Sequence, residues 1–311
     1  MKFTPCPGYE NHLMSYLKTD TDEVRAAKKA QGADMMFYEL PEGMTMKDRQ
    51  IPGTEEGTEM TLRFYVPAGL PEKAPIIMDF HGGGWVGGNL DIDNARCIAL
   101  ARMTPAIVIG VDYRRASETI KAPAPMMDCY TAYMWAYNHA EEFGGDPERM
   151  GLHGTSAGGN FAAALALYLR DTNGPRPALA AMVCPQFSCN MAEFVSYHQM
   201  SPYIMAPENK AISPEAIYTG AYNGYRPSYY ALPSECPDVE GVCPHCIVTA
   251  EYDTFRDDGV QYAVRLLNAG VPCELHVEPR VGHGFNTVHH PFTDLVNETI
   301  CFSFRREFRM L

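Results

Sequence analysis

Six residues limit more than any others what this chain can become: Gly154-Thr155-Ser156-Ala157-Gly158-Gly159. They stand between a short apolar run, Arg149-Met150-Gly151-Leu152-His153, and the strongly helical Phe161-Ala162-Ala163-Ala164-Leu165-Ala166-Leu167-Tyr168-Leu169. A chain that passes from strand to helix in so few residues must turn sharply. Small residues two before and two after the apex let the two elements cross without collision. Strand, Gly-x-Ser-x-Gly, helix is the layout of a nucleophile elbow, with Ser156 at the strained apex. The helix that follows aims its unpaired N–H groups at the same point.

The rest of the chain supplies a framework for such a turn. From Met46 the pattern is one of short strands, with Thr61 to Pro67 alternating clearly. Pro75-Ile76-Ile77-Met78-Asp79-Phe80 is a nearly continuous apolar run, as a strand covered on both faces requires, and Ala106-Ile107-Val108-Ile109-Gly110-Val111-Asp112-Tyr113 reads as another buried strand. Ala180 to Pro185, Cys246 to Ala250 and Glu274 to Glu278 read as further strands. Helical stretches alternate with them at Ile92–Met103, Met126–Phe143, after the elbow, at Asp258–Ala269 and at Phe292–Phe308. The alternation predicts a single α/β domain over residues 1–311, with a mostly parallel eight-stranded sheet flanked by helices. Residues 191–235 break the rhythm: they are rich in Met, Tyr and Pro, and an insertion of ~45 residues is too long for a plain loop. With the amphipathic, helical residues 1–45 it is expected to form a cap over the strand ends.

Serine is a weak nucleophile at neutral pH, so Ser156 needs a general base and a group to orient that base. Of ten histidines, His283 stands just after the last strand between Gly282 and Gly284, where a loop can swing over the strand ends. His276 lies within that strand, His289 and His290 beyond the turn, and His153 on the elbow strand, where packing accounts for it. The acid should end an earlier strand, in the chain order Ser, Asp, His. Asp253 does so, while Asp257 and Asp258 are close rivals at a helix start, where capping explains at least one, and Glu251 points elsewhere. Negative charge developing on a substrate oxygen needs donors: the backbone N–H groups of Gly82-Gly83-Gly84, straight after a strand, and that of Ala157. Those glycines are not a phosphate cradle, since no Gly-Lys-Ser/Thr follows.

His81-Gly82-Gly83-Gly84, Asp112-Tyr113-Arg114, the Gly154–Gly159 elbow, Tyr252-Asp253-Thr254-Phe255-Arg256-Asp257 and Gly282-His283-Gly284-Phe285 occur in that order. From about residue 60 to 290 the chain thereby resembles the hormone-sensitive-lipase-like family of α/β-hydrolases, the bacterial type IV carboxylesterases. The resemblance implies the α/β-hydrolase fold with a helical cap. It also implies Ser156 as nucleophile with Asp253 and His283 as partners, and Gly83, Gly84 and Ala157 as oxyanion donors. It further implies a serine carboxylesterase acting on short-chain (acetyl to about hexanoyl) esters without metal or cofactor, and a possible homodimer through the edge strand Glu274–Glu278. Other uses of the same triad are deacetylation of acetylated sugars and cleavage of aryl esters or amides. A ligand-binding member that has lost the base is disfavoured by the presence of His283. Two departures stand out. Thr155 occupies a position where many members carry an acid, which resembles the GTSAGG branch, and Arg115 and Ser117 replace the usual Leu and Pro.

Composition closes off other classes. A net charge of −13 argues against nucleic acid or an anionic membrane as partner. No apolar run approaches the ~18 residues of a membrane span, and Met1 to Gly8 lacks the apolar core of a secretory signal. The expectation is a soluble cytoplasmic protein whose ten cysteines are free thiols. The lone Cys243-Pro244-His245-Cys246 has no second pair at zinc spacing and reads as buried or loop thiols.

Overall fold

The computed structural model describes residues 3–188, 191–204 and 228–311. Eight strands form one sheet: β1 (Met44–Pro52), β2 (Glu59–Pro67), β3 (Ala74–Phe80), β4 (Ile107–Val111), β5 (Gly145–Thr155), β6 (Ala180–Val183), β7 (His245–Tyr252) and β8 (Cys273–Gly282). Their spatial order is β1-β2-β4-β3-β5-β6-β7-β8. The β1–β2 and β2–β4 pairs are antiparallel and the rest are parallel, so an antiparallel pair leads into a parallel sheet.

The alternation of side chains along each strand divides the core in two. Ile76, Met78, Phe80, Ile107, Ile109 and Met182 face one side, while Ile77, Val108, Ala181, Val183 and Val248 face the other. Helices α4 (Ala124–Asn138), α5 (Ala157–Asp171) and α7 (Arg256–Asn268) cover the first side. Helices α3 (Asn94–Met103) and α8 (Pro291–Glu307) cover the second. A strand covered on both faces has no polar side to show, which is why β3 and β4 are buried at every position and read as unbroken apolar runs.

Three departures from the sequence expectations have local causes. Met126–Phe143 is two elements: α4 ends at Asn138, and a 3₁₀ turn over Ala140–Phe143 closes on Gly144 in the left-handed region at φ 78°. Strand β8 does not stop at Glu278 but runs to Gly282; its register against β7 slips after Ala250, and Arg280 takes up the irregularity at φ 64°. Helix α7 begins at Arg256, so Asp257 and Asp258 fall within its first turn and neither caps it.

The N-terminal segment contributes α1 (Glu10–Ser15) and α2 (Asp22–Met36). Leu13, Met200, Ile204 and Tyr252 make a small cluster with Phe3, Tyr16 and Leu17, and Leu17 bridges Ile204 in antiparallel fashion. The short helix α6 (Val195–Met200) is tied to the start of α7 through Ser196, whose N–H donates to Asp257 Oδ2 at 2.6 Å and whose hydroxyl donates to Thr254 O at 3.0 Å. Residues 205–227 of the expected insertion, including the start of its Tyr-rich stretch at Tyr222, lie outside the described residues. No helix among the described residues is long and apolar enough to cross a membrane.

Candidate active site

Ser156 sits between the end of β5 and the first residue of α5 with φ 57° and ψ −118°, a backbone conformation L-residues rarely adopt. Two features hold it there. Its N–H donates to Val183 O at 2.9 Å, and the crossing around it is too tight for side chains. A Cβ at Gly158 would lie 1.8 Å from Phe80 O, and one at Gly154 would lie 2.2 Å from Gly158 O. Both glycines of the elbow are therefore demanded by close approach, as the motif requires.

The structure brings together three residues that are distant in sequence. His283 Nε2 lies 2.9 Å from Ser156 Oγ, and His283 Nδ1 lies 2.8 Å from Asp253 Oδ2. Asp253 is fully buried at the end of β7, and its Oδ1 accepts the Phe255 N–H at 2.9 Å, which leaves Oδ2 for the imidazole. Burial by itself pulls the His283 pKa down, but the Asp253 charge and hydrogen bond outweigh it and leave it above the ordinary histidine value. Phe255 packs edge-on against the His283 ring at 5.1 Å, and Tyr16, just past α1, does so at 6.3 Å.

The rival residues are engaged elsewhere. Asp258 accepts the N–H groups of Phe187 and Ser188 at 2.6 and 2.9 Å, while Asp257 is bound to Ser196 and Arg256. Asp258 secures the segment leading into the insertion and Asp257 the insertion's helix α6, roles other than the helix capping expected for at least one of them. Glu251 accepts the N–H of Arg280 at 2.8 Å. His153 is buried 2.6 Å from Asp79 Oδ1; His289 Nε2 lies against the carbonyls of Asp34 and Phe37; His290 Nδ1 accepts the Phe292 N–H at the start of α8.

The loop after β3 is shaped by its neighbours. The Tyr113 ring stacks on His81 at 4.1 Å, and its hydroxyl donates to His81 O at 2.7 Å, which explains why both motifs occur in one chain. Gly83 (φ 131°) and Gly84 (φ 61°) occupy conformations suited to glycine, and a Cβ on Gly83 would lie 2.3 Å from Gly87 O. Gly82, Gly83 and Gly84 border, with Ser156, His283 and Tyr16, a cavity of about 360 Å³. Ala157 is the buried first residue of α5. The departures noted in the sequence also find partners. Thr155 Oγ1 accepts from Asn286 Nδ2 at 2.9 Å, joining the elbow to the loop after His283, and Arg115 Nε donates to Gly88 O at 2.9 Å.

Sequence reasoning missed two neighbours of this site. Cys184 follows β6 at φ 48°, and its sulfur, an Asp253 oxygen and a His283 nitrogen lie within 4.8 Å of one another. The carboxylate and imidazole atoms are already paired, and burial pushes the thiol pKa well up, so Cys184 presents a neutral S–H to the carboxylate. The signal that could have found it is positional: β6 lies between β5 and β7, so the residue that follows β6 falls between those that follow β5 and β7, Ser156 and Asp253. The other is a buried ionic network, in which Arg96 on α3 bridges Asp79 at 3.1 Å and Asp93 at 2.5 Å, with Cys97 and His153 also on Asp79. The described cysteines are free, and Cys243 and Cys246 are both buried.

A family model described as alpha/beta hydrolase fold matches residues 77–287. Carboxylesterase NlhH of Mycobacterium tuberculosis is 33% identical over 274 residues, spanning 79% of this chain and 76% of that protein. Esterase LipI of the same species is 34% identical over 228 residues, 72% of this chain and 70% of its own. Among solved structures, a bacterial heroin esterase superposes with a TM-score of 0.85 at 30% identity and covers 98% of both chains. Esterase LipW from Mycobacterium marinum gives 0.79 at 28% identity, covering 91% of this chain and 87% of its own.

Proposed function

This chain belongs to the hormone-sensitive-lipase-like family of α/β-hydrolases and is a carboxylic ester hydrolase, and on that premise we propose that it cleaves short-chain acyl esters, acetyl to about hexanoyl, through an acyl-enzyme on Ser156. The observation that carries this reading is the hydrogen-bonded line from Ser156 Oγ through the His283 imidazole to the buried Asp253 carboxylate.

In this reading Ser156 Oγ attacks the ester carbonyl while His283 Nε2 takes its proton. Asp253 holds the imidazole with Nδ1 protonated and stabilises the imidazolium that forms. The carbonyl oxygen, as it gains charge, meets the N–H groups of Gly83, Gly84 and Ala157. His283 then protonates the leaving alcohol. Water adds to the acyl carbonyl with His283 again as base, and the acid departs. The cavity of about 360 Å³ beside Ser156 has room for a short acyl group, and the packing of Leu13, Tyr16 and Leu17 against Met200 and Ile204 supports a cap built from 1–45 and 191–235. The position of β8 at the sheet edge supports a homodimer formed along Glu274–Glu278, which light scattering would test.

The test is hydrolysis of p-nitrophenyl acetate, butyrate, hexanoate and decanoate by the enzyme and by Ser156→Ala. The reading expects kcat/KM to fall sharply beyond hexanoate and the Ala variant to lose activity by at least ~10³. Substantial turnover in Ser156→Ala would refute the assigned nucleophile, and a preference for decanoate would refute the short-chain assignment.

A further inference from the structure

We propose that the water that hydrolyses the acyl-enzyme reaches it through a passage beside Ser156, between α2, α3 and the segment from Asn286 to Asn297, whose narrow middle is bordered by buried polar side chains. This rests on the acyl-enzyme reading above. The cavity beside Ser156 shares Met35, Ile92, Arg96 and Thr287 with a smaller hollow of about 60 Å³. That hollow shares Ala95, Ala99, His289 and Asp294 with a third, of about 580 Å³, bounded also by Phe37 and Tyr38. The three lie in series, each sharing part of its wall with the next.

The chemistry of the middle hollow says what fills it. Arg96, Asn286 and Asn297 wall it and are 5%, 4% and 4% exposed. Arg96 Nε, Asn286 Oδ1 and Asn297 Oδ1 have no hydrogen-bond partner among the described residues. Each such orphan is costly if nothing meets it. An alkyl chain threaded through the hollow would leave all three unmet. Water can meet each of them, accepting from the guanidinium N–H and donating to the amide oxygens. At ~30 Å³ per molecule the space suits about two waters. The passage also runs beside the elbow itself, since the Asn286 amide is bound to Thr155, the residue before Ser156.

The water oxygen bonds to the acyl carbonyl carbon as one of its protons passes to His283 Nε2. The carbon–Oγ bond of Ser156 then breaks and Oγ takes that proton back, releasing the carboxylic acid.

Ala95 and Ala99 sit one turn apart on α3, are only half-buried, and wall the middle and outer hollows but not the Ser156 cavity. Leucine is tolerated in a helix, so Ala95→Leu, Ala99→Leu and the double variant narrow the passage without touching the reacting groups. With p-nitrophenyl acetate in stopped flow, the burst amplitude counts folded, acylating enzyme, and kcat per burst site reports deacylation. The double variant is expected to keep its burst and its kcat/KM while kcat falls about fivefold or more, with smaller falls in the single variants. An unchanged kcat per burst site would overturn the proposal, as would kcat and kcat/KM falling together. A raised KM confined to longer acyl chains, with acetate turnover intact, would show that an acyl group occupies the passage and would equally overturn it. Failure of a fluorophosphonate to label Ser156 in the unsubstituted enzyme would instead overturn the acyl-enzyme reading itself.

Discussion

Replacing Asp253 by Asn tests the orientation of the base with almost no change of shape. In the structure Asp253 Oδ1 accepts the Phe255 N–H and Oδ2 faces His283 Nδ1 at 2.8 Å. An Asn there keeps its carbonyl oxygen on Phe255 N–H, because its NH₂ cannot accept that bond. The NH₂ then faces His283 Nδ1, which must accept, so the neutral ring carries its proton on Nε2. That is the nitrogen 2.9 Å from Ser156 Oγ, and it can no longer take the serine proton. A base locked in the wrong tautomer costs ~10⁴ in kcat in other serine hydrolases, or about 5 kcal/mol of transition-state stabilisation. The pH profile supplies a second reading. As the proposed base His283 would act when neutral, so kcat/KM is expected to rise with pH through its pKa. Burial pulls that pKa down and the Asp253 charge and hydrogen bond raise it above the ordinary value; without the carboxylate only the downward pull is left. The acid limb of the variant should therefore move to lower pH while its plateau collapses. The linked stability has the same sign: the raised pKa contributes stability present below the unfolded histidine value of ~6.5 and lost as pH rises through the folded one, a slope the Asn variant should lack. Steady-state kinetics on p-nitrophenyl butyrate from pH 5 to 9, with melting curves across the same range, read all three. A loss under tenfold, or an acid limb displaced upward, would refute the reasoning.

Other substitutions follow from the same geometry. Gly83→Ala forces a Cβ to 2.3 Å from Gly87 O at a φ of 131° and should displace the donor loop, lowering kcat by roughly 10²–10³ while circular dichroism stays native. Arg96→Met leaves the buried Asp79 and Asp93 without their shared cation and should destabilise the fold by about 3–5 kcal/mol in urea unfolding. Burial raises the Asp93 pKa and the Arg96 charge opposes that rise, so Arg96→Met should raise it further; the stability of the neutral form is lost as pH rises from the unfolded carboxylate value through the folded one, and the Arg96→Met deficit should therefore widen as pH rises. Thr155→Val removes the acceptor of the buried Asn286 amide and should cost about 1–3 kcal/mol in thermal unfolding, with only a modest fall in kcat.

Much of the fold was legible because it rests on local chemistry. Strands covered on both faces have no polar side, so β3, β4 and β6 read as apolar runs and their order with the helices pointed to a parallel sheet. The elbow was legible because Gly154 answers to a clash with Gly158 within a few residues of Ser156, although Gly158 itself answers to Phe80 on a neighbouring strand. His283 and Asp253 could be picked out because each directly follows a strand, and in a parallel sheet those ends share one edge.

What the sequence by itself determined is therefore the turn at Ser156, the run of strands and helices around it, and which residues stand at strand ends. Tertiary structure alone decided what surrounds them. Asp257 and Asp258 look like caps, but Ser196 and the backbone of Phe187 and Ser188 claim them. Cys184 comes to lie beside Asp253, and Arg96 comes to join Asp79 to Asp93. These contacts depend on which strands become neighbours and on how helices dock across the sheet. Such pairings join residues far apart in the chain and leave no period or spacing in it, so only the folded arrangement displays them.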